Sequence, residues 1–101
     1  MADLEKMMKQ AQEMQDRMTA LQNDLEHVEL VGESGGGKIK LTVNGKGEAK
    51  SITIDPSMLK ADEADVLCDL VVAAMNDARN KTEVTVAERT KNIMSELTGQ
   101  S

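Results

Sequence analysis

The sequence predicts an α+β fold in which two long helices bracket a short strand and a β-hairpin, and three observations predict it. Leu4, Met7, Ala11, Met14, Met18, Leu21, Leu25 and Val28 recur at alternating spacings of three and four, the heptad seam of a helix with coiled-coil character. Lys38-Ile39-Lys40-Leu41-Thr42-Val43 alternates polar with apolar residues, and a second β-rich run, 49–54, follows across Asn44-Gly45-Lys46-Gly47. After Asp55-Pro56-Ser57 the period returns to that of a helix, with Val66, Leu67, Leu70, Val71, Ala74, Met75 and Ala78 as its buried stripe.

Helix 1 is expected over about residues 3–26, with Asp3 as its cap and Glu5–Lys9 and Glu13–Arg17 as i,i+4 pairs on the solvated side. A short strand over about 28–32 leads into the flexible connection Gly32-Glu33-Ser34-Gly35-Gly36-Gly37. The hairpin strands are expected over about 38–44 and 48–54. An even-length turn of two or four residues would put Ile39, Leu41 and Val43 on one face with Ile52 and Ile54, whereas a three-residue loop would expose both isoleucines. Lys38, Lys40, Thr42, Ala49, Ser51 and Thr53 then take the open face, and Lys50 must snorkel at the apolar edge. Asp62, followed by Glu63 and Asp65, is the expected N-cap of a helix over about 62–97, with a kink near 80–85 where Thr82-Glu83-Val84-Thr85-Val86 is rich in β-branched residues. A helix of about 35 residues is roughly 50 Å long, far beyond the roughly 13 Å radius of gyration of a compact chain of this size. The molecule is expected to be elongated.

At 101 residues the chain, 1–101, is a single domain near the lower limit for a self-sufficient core, so a second copy of itself would help to stabilise it. It has no aromatic residue, which excludes a base-stacking platform, and its eight methionines must fill space that aromatic rings otherwise occupy. One cysteine, Cys68, allows no intrachain disulfide, and no apolar segment approaches membrane-spanning length. With no basic-then-apolar leader in Met1-Ala2-Asp3-Leu4-Glu5, a cytoplasmic location without membrane association is expected. The net charge of −6 argues against nucleic acid at first, but only the central segment, 38–60, carries an excess of lysine, with five basic residues against two acidic ones.

Gly32 to Lys38 matches the phosphate-loop spacing G-x-x-x-x-G-K. Ile39 stands where the magnesium-binding Ser or Thr belongs, and a strand pattern follows where a helix N-terminus is required, so no nucleotide is expected there. His27 is the only histidine, which leaves no histidine cluster for a metal and no nucleophile–base pair with a local context. Asp62, Glu63, Asp65 and Asp69 are explained by helix capping and solvation without a cation. No metal, no cofactor and no catalytic residue is expected.

Five pieces in order carry a resemblance: Met8-Lys9-Gln10-Ala11-Gln12-Glu13-Met14-Gln15, Gly32-Glu33-Ser34-Gly35-Gly36-Gly37, Val43-Asn44-Gly45-Lys46-Gly47-Glu48, Ile54-Asp55-Pro56-Ser57 and Val71-Val72-Ala73-Ala74-Met75-Asn76-Asp77-Ala78. With them the chain resembles the YbaB/EbfC family from about residue 7 to residue 79. The resemblance implies a homodimeric α-β-β-β-α fold, with a three-stranded antiparallel sheet flanked by two long helices, and a non-catalytic, DNA-binding role in the bacterial nucleoid. Members of the family often begin with a Gly- and Met-rich stretch and end in a Pro-rich tail, neither of which stands in this sequence.

An acidic protein that binds duplex DNA must do so through local cations contacting phosphate, with little base readout. The first candidates are Lys38, Lys40, Lys46 and Lys50 on the hairpin, expected to have few acidic neighbours; Lys6, Lys9 and Arg17 on helix 1 are the second set. The competing expectation is a cytoplasmic protein-interaction or scaffold module whose exposed helices bind protein partners.

Overall fold

The computed structural model describes residues 2–99, in the order helix, three strands, helix. Helix α1 spans Ala2–Leu25, strand β1 Glu29–Ser34, β2 Ile39–Asn44, β3 Ala49–Ile54 and helix α2 Ala64–Thr98. The strands form one antiparallel sheet in the order β1-β2-β3. The molecule measures 72 × 21 × 17 Å, longer than the roughly 50 Å of its 35-residue helix α2 because α1 extends past the end of α2.

Several local expectations are corrected. Asp3 lies inside the first turn of α1 rather than at its cap, where its charge still suits the helix dipole. Strand β1 takes in Gly32-Glu33-Ser34, because pairing with Leu41, Lys40 and Ile39 satisfies backbone that a loop would leave to water. The connection shrinks to a tight turn at Gly35–Gly37, all three at positive φ. Two 3₁₀ turns, Pro56–Met58 and Ala61–Glu63, precede α2, and the second contains Asp62, so Asp62 is not the helix cap; Glu63 is, without a side-chain hydrogen bond. Helix α2 then continues unbroken through Thr82–Val86, where the Thr82 hydroxyl donates to the Ala78 carbonyl oxygen at 3.0 Å. Tertiary support from the sheet and α1 outweighs the modest propensity penalty of those β-branched residues.

The hairpin turn corrects the register argument in an instructive way. Asn44 N–H bonds the Glu48 carbonyl oxygen at 2.9 Å, so the loop is the odd one, Gly45-Lys46-Gly47, with Gly47 at φ 83. Both isoleucines nevertheless face the core side, because a bulge between Thr42 and Val43 inserts Lys50 and restores the phase: Val43 pairs Ala49, while Leu41 pairs Ile52 and Ile39 pairs Ile54. Lys50 is exposed in this bulge.

Ile39, Leu41 and Val43 are buried against Ala74 and Ala78 of α2, ringed by Leu30, Ile54, Met58, Leu67, Leu70 and Val71. Val66 and Met75, expected in the buried stripe, lie on its exposed flank. Small residues bring the helix close: a Cβ on Gly32 would fall on the Ala74 carbonyl oxygen and 2.6 Å from Ala78 Cβ. The seam of α1 is divided. Leu21 and Leu25 are buried, with Gly45 packed under Leu25 and donating its N–H to the Leu25 carbonyl oxygen at 2.8 Å, whereas Leu4 and Met7 are more than 60% exposed.

Candidate nucleic-acid interface

The tertiary structure changes the surroundings of the hairpin lysines. Lys40 stands on the outer face of the sheet beside Glu33, its cross-strand partner on β1, with Nζ 3.8 Å from the carboxylate. Lys46, at the hairpin tip, donates to Glu26 at 2.7 Å and holds that carboxyl below its usual range, with Lys50 contributing from farther off. Lys38 follows the Gly35–Gly37 turn; its carbonyl oxygen accepts the Asp55 N–H at 2.8 Å, which places it next to the Asp55 carboxylate. Asp55 in turn is held below its usual range first by the Ser57 N–H and more weakly by Lys38. The expectation of few acidic neighbours is therefore overturned: Glu26, Glu33 and Asp55, remote or unremarkable in the sequence, come within reach of the hairpin.

What remains cationic is narrower than the segment. Strands β2 and β3 contain Lys40 and Lys50 and no acidic residue; on the outer face Glu29 and Glu33 belong to β1 at the opposite edge, and Glu48, across from Asn44, stands at the hairpin end. Thr42 pairs Ser51 and Lys40 pairs Thr53, so hydroxyl groups lie beside the lysine on this face, each able to donate to a phosphate oxygen. Asn44, buried at the hairpin end, fixes the loop: its Oδ1 accepts the N–H groups of Lys46 and Glu48 at 2.9 and 3.0 Å, and its Nδ2 donates to Glu48.

The helix set is dispersed. Arg17 forms an ion pair with Glu96 of α2 rather than with Glu13 of its own helix. Among the described residues Lys6 and Lys9 form no ion pair, but Asp3, Glu5, Glu13 and Asp16 share that stretch of α1. Sequence reasoning passed over Arg89 and Asn92, which line a groove with Arg17, Leu21 and Asp24 where α1 and α2 run antiparallel. No local signal marks them, since the groove exists only once the two helices are packed. His27 and Cys68 are both exposed, and among the described residues no three His, Cys, Asp or Glu side chains gather as a metal site. No described helix is long and apolar enough to cross a membrane.

Comparison with known proteins agrees with this architecture and supplies its lineage. Nucleoid-associated proteins of Nitrobacter hamburgensis and Rhodopseudomonas palustris are 50% and 48% identical to this chain over 99 residues, 98% of this chain and 90% of each relative. One from Brucella ovis is 43% identical over 97 residues, 96% of this chain and 91% of the relative. The crystal structure of an uncharacterized protein from Helicobacter pylori superposes with a TM-score of 0.72 at 25% identity, covering 83% of this chain and 88% of that one. The sequence pattern of a single family matches residues 1–99, and on these grounds the chain belongs to the YbaB/EbfC DNA-binding family.

Proposed function

We propose that this protein binds duplex DNA as a homodimer at the nucleoid, without catalysis, through lysine and hydroxyl contacts to phosphate and with little sequence preference. The observation that carries the reading is the family match over residues 1–99. A net charge of −6 leaves no global attraction for a polyanion, so the contact falls to a local surface. The β2–β3 half of the outer sheet face is the better candidate: it offers Lys40, Lys38 at one end and the hydroxyls of Thr42, Ser51 and Thr53, with Lys50 exposed in the bulge at its border and no acid on either strand. Lys46, tied to Glu26, contributes less, and Lys6, Lys9 and Arg17 form a secondary set. A flat sheet face without aromatic or densely arranged Arg and Asn side chains suits backbone contact better than base reading.

Three to six neutralised phosphates give a slope of about −3 to −5 for log affinity against log salt. Gel-shift titration at several salt concentrations, on two unrelated duplexes, tests this. Changing Lys38, Lys40 and Lys50 together to Gln is expected to weaken binding to both duplexes and flatten the slope by about two. If the same changes at Lys6, Lys9 and Arg17 do so while the hairpin variant retains affinity and slope, the helices carry the DNA. A second reading, a protein-interaction module, rests on the exposed Leu4, Met7 and Met8 at the projecting end of α1. It gains if the purified protein shows no salt-dependent DNA binding.

A further inference from the structure

Asn44-Gly45 is the one asparagine–glycine step in the chain; Asn23, Asn76, Asn80 and Asn92 precede Asp24, Asp77, Lys81 and Ile93. Such a step carries a reaction of its own. Glycine has no Cβ to shield its amide nitrogen, so that nitrogen can attack the side-chain Cγ of the asparagine before it. The bond from Cγ to Nδ2 breaks, the glycine amide proton passes to solvent, and the side-chain nitrogen leaves as ammonia, closing a five-membered succinimide. Water then adds to either ring carbonyl and opens the ring to aspartate or isoaspartate. Each conversion consumes one water and releases one ammonia, with no oxidant or reductant, which is why asparagine counts among the thermolabile residues.

The fold opposes every part of that step. Asn44 is the last residue of β2, paired with Glu29 and donating its N–H to the Glu48 carbonyl oxygen at 2.9 Å, so its backbone is held extended. Ring closure has to turn the Asn44–Gly45 peptide out of that conformation to bring the Gly45 nitrogen onto Cγ. Asn44 is 1% exposed, and its carboxamide is held at both ends: Oδ1 accepts the N–H groups of Lys46 and Glu48, and Nδ2 donates to Glu48 Oε1 at 2.7 Å. The attacking nitrogen is engaged too, since the Gly45 N–H donates to the Leu25 carbonyl oxygen at 2.8 Å. Leu25, itself buried, covers the peptide so closely that a Cβ on Gly45 would fall 2.7 Å from its Cδ2. These contacts clasp the end of α1 to the hairpin tip, with the Lys46–Glu26 ion pair beside them.

We propose that Asn44 is a deamidation site gated by this clasp, modified only from conformations in which the clasp has opened and water reaches the Asn44–Gly45 peptide. The change runs one way. The aspartate formed there has no N–H to give Glu48, so two carboxylates replace a hydrogen bond in a buried position and oppose reclosing. Isoaspartate adds a carbon to the main chain at the strand end and breaks the register with Glu48. Either product adds a negative charge at the hairpin end of the β2–β3 face. A chain that has once opened there is thereby marked, whatever conformation it takes afterwards.

Peptide mapping by mass spectrometry, which reads the mass gained when amide becomes acid, follows each asparagine during incubation in mildly alkaline buffer. In the urea-unfolded chain Asn44 is expected to convert faster than any other asparagine, and in the folded chain at least about 100-fold more slowly than in the unfolded one. Leu25→Ala, which loosens the clasp, is expected to raise the folded-state rate by at least about 10-fold. Glu48→Ala, which frees the carboxamide without touching the core, is expected to raise it by about 5-fold, the equivalent of one hydrogen bond. Leu67, part-buried one turn before the Leu70 that packs on the Gly35 turn, lies at the far end of the sheet, and Leu67→Ala is expected to leave the rate unchanged. An unfolded chain in which another asparagine converts faster overturns the site. Equal rates in folded and unfolded chains, or a rate that neither Leu25→Ala nor Glu48→Ala raises, overturns the gate. Equal acceleration by Leu67→Ala and Leu25→Ala means that global unfolding exposes Asn44, and overturns the clasp as its control.

Discussion

Replacing Gly32 by alanine isolates the contact on which the helix–sheet packing depends. A Cβ there would lie on the Ala74 carbonyl oxygen, 2.5 Å from the Ala78 N and 2.6 Å from Ala78 Cβ. Two of those three atoms are backbone of a long helix and cannot swing aside, so α2 must lift from β1. Overpacking of this kind costs about 3 kcal/mol at the upper end of the usual range. Alanine also restricts the unfolded chain, which offsets up to about 1 kcal/mol, leaving a net loss of about 2 kcal/mol. At about 4–8 °C per kcal/mol for a domain of this size, Tm falls by roughly 8–16 °C. Thermal denaturation followed by far-UV circular dichroism measures it, at equal chain concentration because association shifts Tm by mass action. Gly32 does not have positive φ, so the effect is steric and not conformational. The double variant with Ala78→Gly, which removes one of the three clashes, is therefore destabilised by less than the sum of the two single variants, Ala78→Gly alone costing about 1 kcal/mol in the helix interior. A fall smaller than about 3 °C, or strictly additive losses in the double variant, refutes the close-packing argument.

The divided seam of α1 predicts unequal costs along one heptad pattern: Leu25→Ala should cost about 2–5 kcal/mol by urea denaturation, and Leu4→Ala, at 61% exposure, less than about 0.5 kcal/mol. Equal costs would mean that the N-terminal half is also buried. Acid sensitivity should arise in part from Asp77, whose carboxyl lies below its usual range because it accepts the Glu33 N–H and, secondarily, pairs with Lys81. A depressed folded pKa contributes stability that is complete above the unfolded value, about 3.9 for Asp, and is lost as pH falls through the folded one. The Tm of Asp77→Asn should accordingly fall less steeply below about pH 4 than that of the unsubstituted protein; parallel curves would remove Asp77 from the account. Calorimetry with ATP and Mg²⁺ should show no binding at the Gly32–Lys38 sequence, because β2 follows directly and aims no helix N-terminus at that turn. A micromolar affinity abolished by Lys38→Ala would overturn this.

The order and type of the elements were legible in the sequence because they rest on periodicity, which neighbouring residues carry among themselves: a seam every three or four positions, strict alternation at Lys38–Val43, and a Pro-marked end of the sheet at Asp55–Ser57. The hairpin face was legible for the same reason, although the turn was not. The loop has an odd length, and the bulge at Lys50 that compensates it exists only between two paired strands. The division of α1 into a buried and an exposed half, the sealing of β1 by Asp77 and Lys81, and the acidic company of the hairpin lysines all join residues distant in the chain: Lys46 with Glu26, Glu33 with Asp77, Arg17 with Glu96. Sequence determined what each segment becomes, since local backbone preference and apolar period act within a few residues. Tertiary structure alone decided which charges neutralise one another and which part of α1 is buried, since charges and apolar surfaces act across space, wherever folding brings them.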